Sequence, residues 1–266
     1  MTFARFPMQI LKDVFALVNH RYVFFVGGGG KTTLMFTLAQ HLSRAGSTVI
    51  STTSTKILHP PQAVASRVMI EEDPARVVWR LRSELPGAGH ITIGKSLDCA
   101  ENKLRGYGPG ELDYLRQADI ADYMLVEADG AAGRSLKAHQ DYEPVVSPRA
   151  DLVIAVIGVD CIGRLLGDAD VHRAERFGAL LNRAAGTPIR VEDVAAIFFH
   201  PFGYLKAVPP EADVIVFISK VAARQQRANA LRLAAALRAA DRGGRISRIV
   251  IGELTGAERF VESAFG

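Results

Sequence analysis

The chain of 266 residues has only two cysteines, a single tryptophan and no unbroken apolar run of membrane-spanning length. Cys99 and Cys161 are too few for a disulfide framework and lack zinc-ligand spacing, so a reducing compartment is expected. A spanning helix needs roughly 18 or more apolar residues. The N-terminal stretch MTFARFPMQILKDVFALVNH is broken by polar and charged residues every few positions and has no signal-peptide core. A cytoplasmic protein without membrane contact is the expectation. Concentrated blocks of Lys and Arg are missing too. The formal net charge of +4 fits an anionic ligand, and the scatter of the cations argues against a nucleic-acid groove. Repeats, low-complexity tracts and long linkers are also absent. One continuous domain over residues 1–266 is therefore expected, with residues 158–210 as the place for an inserted subdomain.

What is present is organised around YVFFVGGGGKTT, residues 22–33. Apolar and aromatic residues run into four glycines, then a lysine, two threonines and an amphipathic stretch, which reads as strand, tight loop and helix start. Such a junction aims backbone N–H groups and the positive end of a helix dipole at one point, an anion site suited to a nucleotide phosphate. Gly27, Gly28, Gly29 and Gly30 allow close backbone approach. Lys31 is placed to reach the β- and γ-phosphates, Thr32 to ligate Mg2+, and Thr33 to continue the cradle. The usual G-x-x-x-x-G-K-[ST] spacing would put its first glycine at Phe25, where there is none. The shorter spacing is similar to the compact loop of Mur ligases and folylpolyglutamate synthetases. A dinucleotide fingerprint fails, because counting from Gly27 its third glycine would fall at Thr32, and Thr48-Val49-Ile50-Ser51 further on offers no ribose-binding acid.

The second informative stretch is YMLVEADG, residues 123–130, a strand ending in two acids. Period-two alternation turns Glu127 and Asp129 to the same side. Beside a P-loop, such an acid orients Mg2+ or its water, and spacing leaves open which of the two does so. The hydroxyl-rich segment after the second strand, with Thr52, Thr53, Thr55 and Lys56, is expected beside the P-loop at the carboxyl edge of the sheet. Residues 7–18 show helical spacing, residues 101–109 read as a surface loop, and residues 246–251 as the closing strand. At 219–222 the chain reads Ser-Lys-Val-Ala, lacking the aspartate that a guanine-reading N-K-x-D needs, so ATP is expected ahead of GTP. The fold class that follows is α/β, a P-loop NTPase-like, mostly parallel sheet flanked by helices.

Taken together, VGGGGKTT, STTSTKI, VEADGAAGRSLK with a following EP, VHRAE and HPFG resemble the YqeC family over nearly the whole chain. Ala138-His139 departs from the alanine-proline expected of that family. The resemblance implies a nucleotide-binding accessory protein that matures selenium-dependent molybdenum hydroxylases, with the hydroxylase or its cofactor as partner. Lys137, His172, Arg173 and His200 match family motifs, and with Thr52, Thr53, Thr55 and Lys56 they are the second-substrate candidates. Lys31, Glu127 and Asp129 are the catalytic candidates, and Thr32, Glu127 and Asp129 the metal candidates. Two other readings are an ATP-dependent activation of a small substrate, as in Mur ligases, and a nucleotide-gated switch that docks on the hydroxylase. A thiolate at Cys161 would be able to carry selenium, although a free cysteine is commonly a small buried filler.

Overall fold

The computed structural model describes residues 11–62, 67–255 and 259–265. In chain order the first elements are α1 (Leu11–Val14), β1 (Tyr22–Gly27), α2 (Lys31–Arg44), β2 (Val49–Thr53), β3 (Lys56–Leu58) and β4 (Val68–Ile70). They are followed by α3 (Pro74–Ala88), β5 (His90–Gly94), β6 (Ser96–Asp98), β7 (Lys103–Arg105), α4 (Pro109–Gln117), β8 (Tyr123–Glu127) and β9 (Leu136–Lys137). The last are β10 (Leu152–Gly158), β11 (Val171–His172), α5 (Ala174–Leu181), α6 (Val191–Phe199), β12 (Asp213–Ser219), α7 (Arg224–Ala240), β13 (Arg248–Glu253) and β14 (Phe260–Phe265).

Nine strands form one sheet in the order β14-β13-β12-β10-β1-β8-β2-β5-β4, parallel throughout except for β14. Strand β1 lies centrally, and its six residues are all buried, as a parallel strand covered on both faces requires. Alternation splits its side chains between two layers. Tyr22, Phe24 and Val26 pack with α3, α4, α6 and α7, whereas Val23 and Phe25 pack with α1 and α2. Helix α2 buries Leu34, Leu38 and Leu42 completely, each contributing about 1.5–3 kcal/mol. It ends where Gly46 adopts φ +86° and Ser47 N–H returns to the Leu42 carbonyl.

Several sequence expectations are corrected. Strand β8 lies between β1 and β2, so the threonine-rich segment is one strand removed from the P-loop strand, and Thr52 and Thr53 belong to β2 itself. Residues 101–109 are not simply a surface loop. They contain β7, the middle of a three-stranded antiparallel sheet with β3 and β6, and Tyr107 is fully buried with its hydroxyl on the Glu71 carbonyl. The antiparallel β14, not β13, forms the edge. Of the expected N-terminal helix, residues 7–10 lie outside the described residues, and α1 is one turn that ends before Ala16 turns left-handed at φ +52°. Residues 158–210 contribute α5 and α6, whose Phe177, Val194, Ile197 and Phe198 join the same core as the sheet. Among the described residues no helix is long and apolar enough to cross a membrane.

One buried titratable group gives the core a pH signature. His90 on β5 is 4% exposed, hydrogen-bonds Ser51 Oγ at 2.9 Å, and is pushed by burial from 6.5 down to about 4. Its folded-state pKa lies below the unfolded one, so the unfolded chain takes up the proton first and stability falls as pH drops through this window. The loss should reach about 2 kcal/mol between about pH 7.5 and pH 5. Urea unfolding at both pH values should show His90→Gln to be less acid-sensitive by that amount. An equal pH slope in the variant would refute a neutral buried His90.

Candidate functional site

The glycine loop leaves β1 with Gly27 at φ +96° and Gly29 at φ +77°, conformations that side chains rarely adopt. Space excludes a side chain as well. A Cβ on Gly27 would stand 2.3 Å from the Tyr204 ring, and one on Gly29 would stand 2.2 Å from Gly158 N. The first three glycine amides are engaged by the protein itself. Gly27 N–H donates to the Asp129 carboxylate at 3.0 Å, Gly28 N–H to the Val156 carbonyl at 3.0 Å, and Gly29 N–H to the Arg134 carbonyl at 2.7 Å. Ser219 Oγ–H pins the Gly29 carbonyl at 2.5 Å. The loop is thus anchored to the segment following β8, to β10 itself and to the last residue of β12. What remains open to an anion is the start of α2, capped by Gly30 without a side-chain bond, where first-turn N–H groups lack intrahelical acceptors.

Two carboxylates meet this loop in different ways. Thr32 Oγ–H donates to Glu127 Oε2 at 2.6 Å, and Glu127 Oε1 stands 3.8 Å from Lys31 Nζ. Asp129, fully buried, lies 3.0 Å from Lys31 Nζ, 2.5 Å from His139 Nε2 and 3.5 Å from Lys137 Nζ. Lys31 also donates to the Gly27 carbonyl at 2.5 Å. Burial alone would lower Lys31, yet Asp129 and Glu127 outweigh it and hold the ammonium above its usual range. Burial likewise opposes ionisation of Asp129, but Lys31, Lys137 and His139 hold its carboxyl well below the ordinary value. In Glu127 burial prevails over Lys31 and Thr32, and the carboxyl is pushed up. Burial lowers His139, so its neutral ring donates Nε2–H to Asp129, and Nδ1 is left without a partner.

From Asp129 the charge network runs on to Lys137, 3.0 Å from Glu143, and then to Arg173, which donates to Glu143 Oε2 at 2.6 Å. Burial pulls Lys137 below the usual lysine range in spite of Asp129 and Glu143. Burial opposes the charge on Glu143 as well, but the hydrogen bond from Arg173 and the neighbouring Lys137 ammonium keep that carboxyl low.

A cleft of about 1100 Å³ opens over the start of α2. Gly29, Gly30, Lys31, Thr32, Thr33, Thr55, Lys56, Glu127 and His172 line it, as do Lys103, Arg105, Arg134, Tyr142 and Lys220. Other expected residues stand elsewhere. Thr52 Oγ–H bonds the Ile93 carbonyl, Thr53 Oγ–H the Glu127 carbonyl, and both are buried. Lys137 is fully buried in the network, while Arg173 supports Glu143. His200 accepts from Phe202 N–H at a turn and does not reach the cleft. Cys161 is fully buried, with its thiol pushed up by burial, an environment that disfavours the thiolate a selenium carrier requires. Sequence reasoning missed His139 and Tyr142 altogether, and missed Lys103 and Arg105 by reading their strand as a loop. The Lys-Leu-Arg alternation at 103–105 was the available signal.

Among the described residues no group of three or more His, Cys, Asp or Glu side chains is arranged to hold a metal. The Thr32 hydroxyl and Glu127 carboxylate are nevertheless hard oxygen donors of the kind Mg2+ takes alongside phosphate oxygens and water. Asp129, already engaged by three side chains and a backbone N–H, is not free to join them.

Fold and loop together define an α/β protein of the P-loop NTPase-like kind. Residues 23–175 match the family model described as YqeC protein. A relative from Escherichia coli (strain K12), named "Uncharacterized protein YqeC", is 31% identical over 215 residues, covering 80% of this chain and 81% of that protein. The chain belongs to the YqeC family.

The two carboxylates should separate in a stability measurement. Asp129→Asn leaves Lys31 and Lys137 buried without their shared partner and should lose about 3–5 kcal/mol in urea unfolding at neutral pH. Glu127→Gln keeps an acceptor for Thr32 at a site where burial favours the neutral group, and should stay within about 1 kcal/mol of the parent. Equal losses in the two variants would contradict this division.

Proposed function

We propose that this protein binds ATP with Mg2+ at the start of α2 and uses it as an accessory factor in maturing selenium-dependent molybdenum hydroxylases. The observation that carries the nucleotide half of this reading is the meeting of Thr32 and Glu127 at 2.6 Å beside Lys31, at the N-terminus of a 14-residue helix. A threonine hydroxyl and a strand-end carboxylate converge there on the place where a phosphate-bound Mg2+ would be held. The metal would neutralise phosphate charge. Lys31 adds a second positive charge, and Thr33 with the first-turn amides of α2 completes the phosphate cradle. Asp129 acts as a positioning residue. It holds both Gly27 N–H and the Lys31 ammonium, so loop shape and lysine placement come from one carboxylate.

Support for ATP over GTP comes from the loop after β12. Lys220 Nζ is taken up by Ser135 Oγ at 2.6 Å and Asp160 at 3.3 Å, and Ala222 stands where a guanine-reading aspartate would be needed. The selenium and molybdenum half rests on the family resemblance alone. The size of the cleft favours the reading in which the nucleotide activates a second molecule over the reading as a pure switch.

Calorimetric titration of non-hydrolysable ATP and GTP analogues with Mg2+ tests the proposal. ATP-analogue binding in the micromolar range is expected, weakened at least about tenfold by Lys31→Met, which keeps the buried volume but removes the charge. In Glu127→Gln the dependence on Mg2+ should largely vanish. Absence of binding, or binding indifferent to both substitutions, would refute the nucleotide site.

A further inference from the structure

One wall of the cleft is built by the small sheet, and its alternation is explicit. Ile57 pairs with Leu104 and both are buried, so their neighbours Lys56, Leu58, Lys103 and Arg105 project from the other face, which lines the cleft. Lys56 stands directly opposite Arg105 in the register, a like-charge pair that destabilises an antiparallel ladder. Asp98 on β6 holds the two together, 3.3 Å from Lys56 Nζ and 3.1 Å from Arg105, and Glu101 lies 3.0 Å from Lys103 Nζ. Two carboxylates thus serve three cations, and the side chains of Lys56, Lys103 and Arg105 keep 39%, 38% and 54% of their exposure. Arg134, exposed on the cleft, forms no ion pair among the described residues.

The charge of the cleft exceeds what one nucleotide uses. Of the six cations that line it, Lys31 is paired with Asp129 and Lys220 with Asp160, which leaves Lys56, Lys103, Arg105 and Arg134 beside two lining carboxylates, Glu127 and Glu143. Those two are already committed, to Thr32 and Lys31 and to Lys137 and Arg173. A volume of about 1100 Å³ stands at the upper end of the roughly 300–1,000 Å³ of clefts that enclose a drug-sized ligand.

We propose that the β3–β7 wall binds a second polyanionic ligand, a phosphorylated small molecule, in the same cleft as the nucleotide held at the start of α2. The inference rests on the nucleotide reading for what shares the cleft, and on the wall's own residues for the second site. Arginine and lysine side by side suit phosphate oxygens, the guanidinium in a fork and the ammonium as a point charge. A phosphate there would take over the role of Asp98 and Glu101 in balancing Lys56, Lys103 and Arg105.

Inorganic pyrophosphate is the probe, titrated into full-length protein saturated with a non-hydrolysable Mg2+–ATP analogue. A pyrophosphate site in the presence of the nucleotide is expected, with affinity at least about tenfold weaker in Lys103→Gln/Arg105→Gln. Nucleotide affinity and melting temperature should stay close to the parent's in that variant. A nucleotide stoichiometry of two, with one equivalent lost in the double variant, would also support the wall and would identify its phosphate as carried by a nucleotide. One nucleotide and no pyrophosphate binding, or pyrophosphate binding unchanged in the double variant, would overturn the proposal. To separate this from a failed nucleotide site, pyrophosphate is also titrated without nucleotide into Lys31→Met, with and without the wall substitutions. Loss that follows the wall substitutions there supports the wall even if no nucleotide binds.

Discussion

The carboxylate of Asp129 is the constraint on which the site depends. A fully buried charge is tolerated only with partners on every side, and Asp129 has a backbone N–H, a lysine, a histidine and a second lysine around it. Those partners come from different parts of the chain: the end of β1, the first residue of α2, and β9 with the residues after it. Satisfying one charge therefore fixes where the glycine loop turns, where Lys31 points and where the segment carrying Lys137 and His139 is held. Tyr204 closes the arrangement from outside. Its ring packs edge-on to His139 with centroids 5.1 Å apart and occupies the space a Gly27 side chain would need.

Strand order then decides which carboxylate faces outward. Residues 127 and 129 have the same parity, so both reach Lys31. Glu127 is the last residue of β8, whereas Asp129 lies past the strand and turns back under Gly27. Burial without full compensation pushes one carboxyl up, and compensation beyond burial pulls the other down. Two similar acids two residues apart are thereby separated into a cleft-facing group poised to meet a cation and an internal anchor that already has its cations.

The P-loop was legible in the sequence because its demands are local. Positive φ angles require Gly27 and Gly29, and Lys31-Thr32 opens helix α2 directly after them. The acidic strand end was legible for the same reason. Its insertion between β1 and β2 was not, because the apolar residues of β2 and β8 are equally suited to either neighbour and only three-dimensional packing chooses the order. Strand β7 was hidden by its length of three residues, with one buried apolar position, Leu104, between two cations. His139 carried no local signal at all. Its role arises from a contact with a residue ten positions earlier, across a bend that no periodicity describes.

The missed strand lines the cleft whereas the missed histidine is buried beneath the glycine loop, and the two differ in how the charges around them are balanced. Around Asp129 every ion has its partner inside the protein, an arrangement that resists change and preserves loop geometry. On the β3–β7 wall the cations are partly exposed and outnumber their carboxylates, and two like charges face each other across the ladder. A structural role alone would favour an uncharged or opposite-charge pair at that position, since the strand's burial is already supplied by Ile57 and Leu104. A fully paired network holds the loop in place, whereas the under-compensated one is where the proposed second anion would find its partners.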